Sequence, residues 1–156
     1  PAKEVVILGS GEAGYEAFFN ELCARHPGRV GVYIGFNAQL AQQIYAGADI
    51  FLMPSRSEPC GLAQMVACRY GTIPVVRETG GLRDSIHDSG DGYGNGFTFA
   101  NYNAHELYEA CWRAKEGYWK KDGWPILVRR AMECDFSWAN SAKSYEGLYN
   151  EVVNLW

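Results

Sequence analysis

Short apolar runs alternate with helix-like stretches along this 156-residue chain, and that alternation limits the possible folds more than any other feature. Strands are read at 4–9, 30–34, 49–53, 73–76 and 96–99. Helical spacing predicts helices at about 15–25 (Phe18, Phe19 and Leu22 on one face), 38–46, 61–70, 82–87, 103–115 and 124–133. Ser137 reads as the cap of a final helix reaching about residue 153. Gly28, Gly47 and Gly71 stand where helices should stop. Residues 88–96, with Ser89, Gly90, Asp91, Gly92, Gly94 and Asn95, read as a flexible surface loop. Strands separated by helices need crossover connections, so they run parallel. The predicted class is α/β, a Rossmann-like doubly wound parallel sheet with helices on both faces, in one domain spanning 1–156. Ligands of such sheets bind beyond the carboxyl ends of the strands.

Composition narrows the function. The chain is 47% hydrophobic and 21% charged, as a folded domain with a real core would be. Its net charge of −4 argues against nucleic acid or an acidic membrane surface as partner. No apolar run approaches the roughly 20 residues of a membrane span, and the apolar start is shaped like a strand rather than a signal peptide. Cys23, Cys60, Cys68, Cys111 and Cys134 form no C-x-x-C pair, and they read as reduced thiols of a cytosolic protein. His26, His87 and His105 are scattered, so no metal site is expected.

Three loops follow strands and therefore lie on one sheet edge: 9–14, 54–61 and 77–81. The first, Gly9-Ser10-Gly11-Glu12-Ala13-Gly14, is a literal G-x-G-x-x-G. A dinucleotide site also wants an acid at the tip of the second strand, where Gly35-Phe36-Asn37 stands, and Glu12 would repel a pyrophosphate. A tight turn that lets a ligand or partner domain approach the backbone is the better reading. The other two loops bring two helix starts to one crevice, with Glu58 between them. Free N–H groups at helix starts suit anions and hydroxyls, so a diphosphate and a sugar are the expected ligands.

Those two loops carry a family resemblance. Pro54-Ser55-Arg56-Ser57-Glu58-Pro59-Cys60-Gly61-Leu62-Ala63-Gln64 resembles the sugar-donor motif of bacterial glycogen synthases and plant starch synthases. Tyr70-Gly71-Thr72-Ile73-Pro74-Val75-Val76-Arg77-Glu78-Thr79-Gly80-Gly81-Leu82 continues it in register. Val30-Gly31-Val32-Tyr33-Ile34-Gly35-Phe36-Asn37 and Ala46-Gly47-Ala48-Asp49 fit upstream, and Asn101-Tyr102-Asn103-Ala104 and Phe136-Ser137-Trp138 fit downstream. The resemblance covers nearly the whole chain.

It implies the second, donor-binding domain of a GT-B glycosyltransferase. Such an enzyme moves glucose from ADP-glucose or UDP-glucose to an α-1,4-glucan with retention, without metal or other cofactor. Glu58 would lie by the glucosyl ring and supply negative charge. Cys60, Gly61 and Leu62 would offer N–H groups to sugar hydroxyls, and Thr79, Gly80 and Gly81 would cradle the distal phosphate. Phe36 would lie against the base, and Gly9 and Gly11 would line the crevice. The family's donor-phosphate Arg and Lys would precede Pro1, and its acceptor loop would belong to a first domain that also meets the glucan. The chain is thus expected to be a fragment, inactive alone, from a bacterial cytoplasm or a plastid.

Departures and alternatives accompany this. Ser57 replaces an aromatic and Ala63 a Thr usual in the family, and Val66 stands where related transferases carry a second Glu. Glu58 could be a solvated loop acid and Phe36 a core residue. Cys60 has no histidine nearby in sequence to make it a nucleophile. Arg56 and Arg77 stand between local carboxylates and phosphate as partners. Trp112, Trp119, Trp124 and Trp138 read as packing residues, with a glucan platform as the alternative. Another GT-B transferase or a non-catalytic nucleotide-binding module would fit many of the same features.

Overall fold

Strands form where short apolar runs of β-branched and aromatic residues stand, and a computed structural model describes residues 5–155 with strands at those places. The order is β1 (Val5–Gly9), α1 (Ala13–Arg25), β2 (Val30–Ile34), α2 (Ala38–Gly47), β3 (Ile50–Met53), α3 (Ala63–Tyr70), β4 (Ile73–Arg77), α4 (Gly80–Ser85), β5 (Phe97–Phe99), α5 (Ala104–Tyr118), α6 (Trp124–Met132) and α7 (Trp138–Val153). Every ladder is parallel, as the crossover helices require. The strands divide into a two-stranded sheet, β1-β2, and a three-stranded sheet, β3-β4-β5. This division coincides with two compact units that meet between Gly47 and Ala48 in the sequence.

In the first unit β1 and β2 pair from Val5↔Val30 to Gly9↔Ile34. Gly35 N–H donates to Gly9 O at 2.8 Å, carrying the pairing one step past the strands. The second unit holds the core. Ile73, Val75 and Val76 of β4, Leu82 and Ile86 around α4, and Phe97 and Phe99 of β5 pack with Cys68 of α3, Ala110 and Ala114 of α5, and Leu127 and Ala131 of α6. β4 is central, with β3 on one side and β5 on the other, so its residues 73–76 are buried on both faces and read as a continuous apolar run. Burial and the neighbouring Cys134 push the Cys68 thiol up to about 12. Gly71 ends α3 in the left-handed conformation (φ 79°), as its place in the sequence suggested.

The segment 88–96 is not the flexible loop its composition suggests. Asp88 accepts from Gly90 N–H, from Thr98 N–H and from both an Arg113 Nη1 contact at 2.7 Å and one at 2.8 Å. Asn95 is buried; it accepts from His87 N–H and donates to Ser85 O and Cys134 Sγ. Gly94 O accepts from Arg130 at 2.7 Å. Small polar residues made this segment look loose, yet they are the residues that bond their own backbone in tight turns. Burial raises the Asp88 carboxyl, but Arg113 and these N–H groups outweigh it and hold the group below its ordinary 3.8.

Of the four tryptophans expected to pack, one does so on the core and the others are exposed to differing degrees. Trp124 packs on the core and against Tyr118. Trp112 and Trp119 are about half exposed, and Trp138 on α7 is 87% exposed among the described residues. Large apolar surface alone does not place a side chain inside. No helix of the described residues is long and apolar enough to cross a membrane.

Candidate functional site: two adjoining strand–helix turns

Parallel neighbours end at the same sheet edge. Met53 pairs with Val76, so the loop that leaves β3 at Pro54 and the loop that leaves β4 after Arg77 begin side by side. The two motifs that are 20 or so residues apart in sequence therefore meet. They do more than face one another: they are bonded. Gly81 N–H donates to Glu58 O at 3.1 Å and to Pro59 O at 3.2 Å. Gly80 has φ +45°, and a Cβ on it would lie 2.0 Å from Glu58 O. A Cβ on Gly81 would lie 2.0 Å from Cys60 O. The glycine pair lets the start of α4 touch the 58–60 backbone directly.

Two more side chains hold the same loop. Arg77 donates from Nε to Ser55 O at 2.9 Å, from Nη1 to Ala100 O at 3.3 Å, and from Nη2 to Arg56 O. Its partners are thus backbone carbonyls, neither of the two kinds considered from sequence. Gln64, in the first turn of α3, donates from Nε2 to Cys60 O at 3.2 Å and to Gly61 O at 3.0 Å.

These bonds set the direction of the loop's donors. No described peptide is cis, and the C=O and N–H of a trans peptide point opposite ways. Pro59 O faces Gly81, so Cys60 N–H points away from α4. Cys60 O and Gly61 O face Gln64, so Gly61 N–H and Leu62 N–H point away from it. None of the three N–H groups has an acceptor among the described residues. The residue before them, Pro59, has no N–H at all. Glu58 precedes this row. It is half-buried, and its carboxylate makes no hydrogen bond or ion pair among the described residues. The local arrangement is one free carboxylate followed by three free donors, which is what a polyhydroxylated ligand would engage.

At the second turn, Thr79 N–H donates to Arg77 O at 2.9 Å and Gly81 N–H to the loop. Gly80 N–H is left without an acceptor among the described residues, and the Thr79 side chain makes no cap bond to α4. Cys60 is exposed and its thiol reaches only Gly61 O, at 3.6 Å. No cluster of three or more His, Cys, Asp or Glu able to hold a metal occurs among the described residues.

Three sequence-predicted residues belong to the other unit. Phe36 follows β2 and is 92% exposed, so it is not a core residue. Gly9 and Gly11 bracket the turn into α1, and a Cβ on either would meet nothing within 4 Å. Gly11 N–H donates to Glu16 Oε1 at 2.9 Å. A carboxylate of the chain thus holds the place where a dinucleotide site would present its turn to a pyrophosphate.

Sequence reasoning missed Gln64 and the clamp made by Arg77. Gln64, Ala67 and Cys68 are all buried, and their i, i+3, i+4 spacing puts them on one helix face. A glutamine on an apolar face was the available signal.

Comparison with known proteins gives the family. The family model described as "Glycosyl transferases group 1" matches residues 2–122. The glycogen synthase of Bacillus cereus (strain B4264) is 52% identical over 152 residues, covering 96% of this chain and 32% of that protein. The glycogen synthase of Desulforudis audaxviator is 53% identical over 153 residues, covering 96% and 31%. The catalytic domain of starch synthase IV from Arabidopsis thaliana, solved bound to ADP and acarbose, superimposes with a TM-score of 0.84 at 38% identity, over 97% of this chain and 32% of that one. The chain therefore spans about a third of the length of these relatives. Its fold class is the α/β, parallel-stranded arrangement of the GT-B transferases. By sequence and by fold, the chain belongs to the group 1 glycosyl transferases.

Proposed function

We propose that this chain is the donor-binding part of a glycogen or starch synthase, which moves glucose from ADP-glucose (or UDP-glucose) to an α-1,4-glucan with retention. The observation that carries the reading is the unpaired Glu58 carboxylate followed by the outward N–H groups of Cys60, Gly61 and Leu62. In this reading the three N–H groups take sugar hydroxyls. Glu58 takes a further hydroxyl and stabilises positive charge developing at the ring. Groups fixed before the reaction do this without reorganising. Gly80 N–H and the Thr79 hydroxyl receive the distal phosphate, and Gly81 keeps them against the sugar loop. In the first unit, taken by itself, the exposed Phe36 ring offers a stacking face for a base, and a Cβ on Gly9 or Gly11 would meet nothing within 4 Å. The glycogen synthases and the ADP-bound starch synthase named above support the choice of donor and product.

The glucan and the remaining phosphate ligands come from a first domain, so the 156 residues alone bind nucleotide sugar weakly and elongate nothing. The enzyme works in a bacterial cytoplasm or a plastid and needs no metal. The test is an NMR titration of the chain with ADP-glucose, UDP-glucose and GDP-glucose. Shifts centred on Glu58, Gly61, Leu62 and Gly80, largest with ADP-glucose, are the expected result. Shifts confined to other surfaces refute the reading, and a GDP-glucose preference moves the chain to a different GT-B transferase. In the transferase that carries this chain, Glu58→Ala lowers elongation by about 10²–10³-fold, the scale of losing one preorganised electrostatic group. Elongation left intact in that variant favours a non-catalytic nucleotide-binding role.

A further inference from the structure

We infer that Gln64 is the positioning residue of the sugar loop: its buried amide fixes the Cys60 and Gly61 peptides so that the N–H groups of Gly61 and Leu62 stay turned outward. The inference rests on reading 58–62 as the donor-sugar loop.

Gln64 is fully buried, yet its Oε1 has no hydrogen-bond partner among the described residues. An unsatisfied buried carbonyl opposes folding, and an apolar side chain of the same length would fill the space without that penalty. Packing alone does not account for this residue; the two hydrogens on Nε2 do. They face three acceptors: Cys60 O at 3.2 Å, Gly61 O at 3.0 Å and Ser85 Oγ at 3.1 Å. The Ser85 hydroxyl donates its own hydrogen to Gly81 O at 2.6 Å, so toward Gln64 it is an acceptor. Turning the amide over would set Oε1 against the Cys60 and Gly61 carbonyl oxygens, which fixes its orientation.

Donation runs from Gln64 to Ser85 to Gly81 O, while Gly81 N–H donates back to Glu58 O. One side chain of α3 thereby ties the sugar loop to α4. Gly61 makes room for it: with φ +73° and no Cβ, it admits Gln64 Oε1 to 2.5 Å from where a Cβ would stand.

The test uses Gln64→Met in the full chain, which keeps the length of the side chain and removes the donor. Backbone ¹⁵N relaxation is measured without ligand. The order parameters of Gly61 and Leu62 fall from about 0.85 to below about 0.6, while those of β4 do not change. Ser85→Ala leaves both loop carbonyls bonded to Gln64 and leaves those order parameters where they were. Titration then separates positioning from general weakening. Gln64→Met weakens ADP-glucose by about tenfold and ADP by less than about twofold, because only the sugar uses the loop donors.

A loop as rigid in Gln64→Met as in the parent overturns the inference, and so does equal weakening of ADP and ADP-glucose. If the parent binds neither nucleotide, the functional reading fails, and the relaxation data alone decide whether Gln64 holds the loop. Should Gln64→Met not fold, Gln64→Asn carries the same measurements, since it is too short to reach both carbonyls.

Discussion

Replacing Gly81 by alanine tests the contact on which the whole site geometry rests. Gly81 is helical and has no positive φ, so alanine suits its backbone and on propensity alone would stabilise α4 by about 1 kcal/mol. The obstacle is steric. The new Cβ would lie 2.0 Å from Cys60 O and 2.6 Å from both Cys60 C and Cα, all backbone atoms that cannot rotate away. The 58–61 loop must retreat by more than about an ångström to restore contact near the usual van der Waals distance. That retreat strains the bonds from Gly81 N–H to Glu58 O and Pro59 O, and those from Gln64 to Cys60 O and Gly61 O. Losing about three of them at about 1 kcal/mol each, less the propensity gain, leaves a net destabilisation of about 2 kcal/mol.

The internal control is Gly147→Ala in α7, where a Cβ meets nothing within 4 Å and φ is not positive. That change stabilises by about 0.5–1 kcal/mol. Urea denaturation followed by circular dichroism measures both. Opposite signs are expected, about 3 kcal/mol apart, with ADP-glucose binding reduced in Gly81→Ala only. If Gly81→Ala stabilises as Gly147→Ala does, the α4 start does not sit on the 58–61 loop and the site must be redrawn.

Two further outcomes follow from the same structure. Arg77→Lys loosens the loop at 55–56 and lowers stability by about 1–2 kcal/mol, because an ammonium cannot span three carbonyls as the guanidinium fork does; a Lys variant as stable as the parent in the same denaturation assay contradicts this. Glu106 accepts first from Asn101 N–H, then from the Asn101 and Asn103 side chains and Ala100 N–H, and its carboxyl is held at about 2 against an ordinary 4.5. A depressed carboxyl contributes stability above pH 4.5 that disappears as pH falls toward about 2. Glu106→Gln therefore lowers the urea midpoint at pH 7 and flattens its decline between pH 4.5 and 2; an unchanged acid limb refutes the assignment.

The parts of this molecule that were legible from sequence are those in which one residue type suffices. Apolar runs mark the strands, Gly71 marks a helix end, and the strand order puts the loops with Glu58 and Gly80-Gly81 at one sheet edge. The parts that were not legible depend on which atom of a polar group faces inward. In sequence Gly81 offers room for a phosphate, and in the fold its missing Cβ makes room for Cys60 O. Arg77 suggests a carboxylate or a phosphate as partner and holds carbonyls instead. The 88–96 segment looks loose because of the same residues that tie it to Arg113 and Arg130. Composition reports how polar a segment is, not where its hydrogen bonds go. The start of α4 shifted for a related reason: glycine is a poor helix former, so 82 looked like the first helical residue, whereas close packing overrides that preference and α4 begins at Gly80.

Main-chain donors have a consequence for how such a pocket tolerates change. The amide hydrogens of Cys60, Gly61 and Leu62 are oriented from behind, by Gln64 and Gly81, so the front-facing side chains contribute little to their aim. Cys60 and Leu62 are exposed, and so is Ser57. Substitution at those surface positions can drift without misdirecting these three donors. Re-aiming them would instead have to arise from the hidden scaffold, from Gly81 for Cys60 and from Gln64 for Gly61 and Leu62.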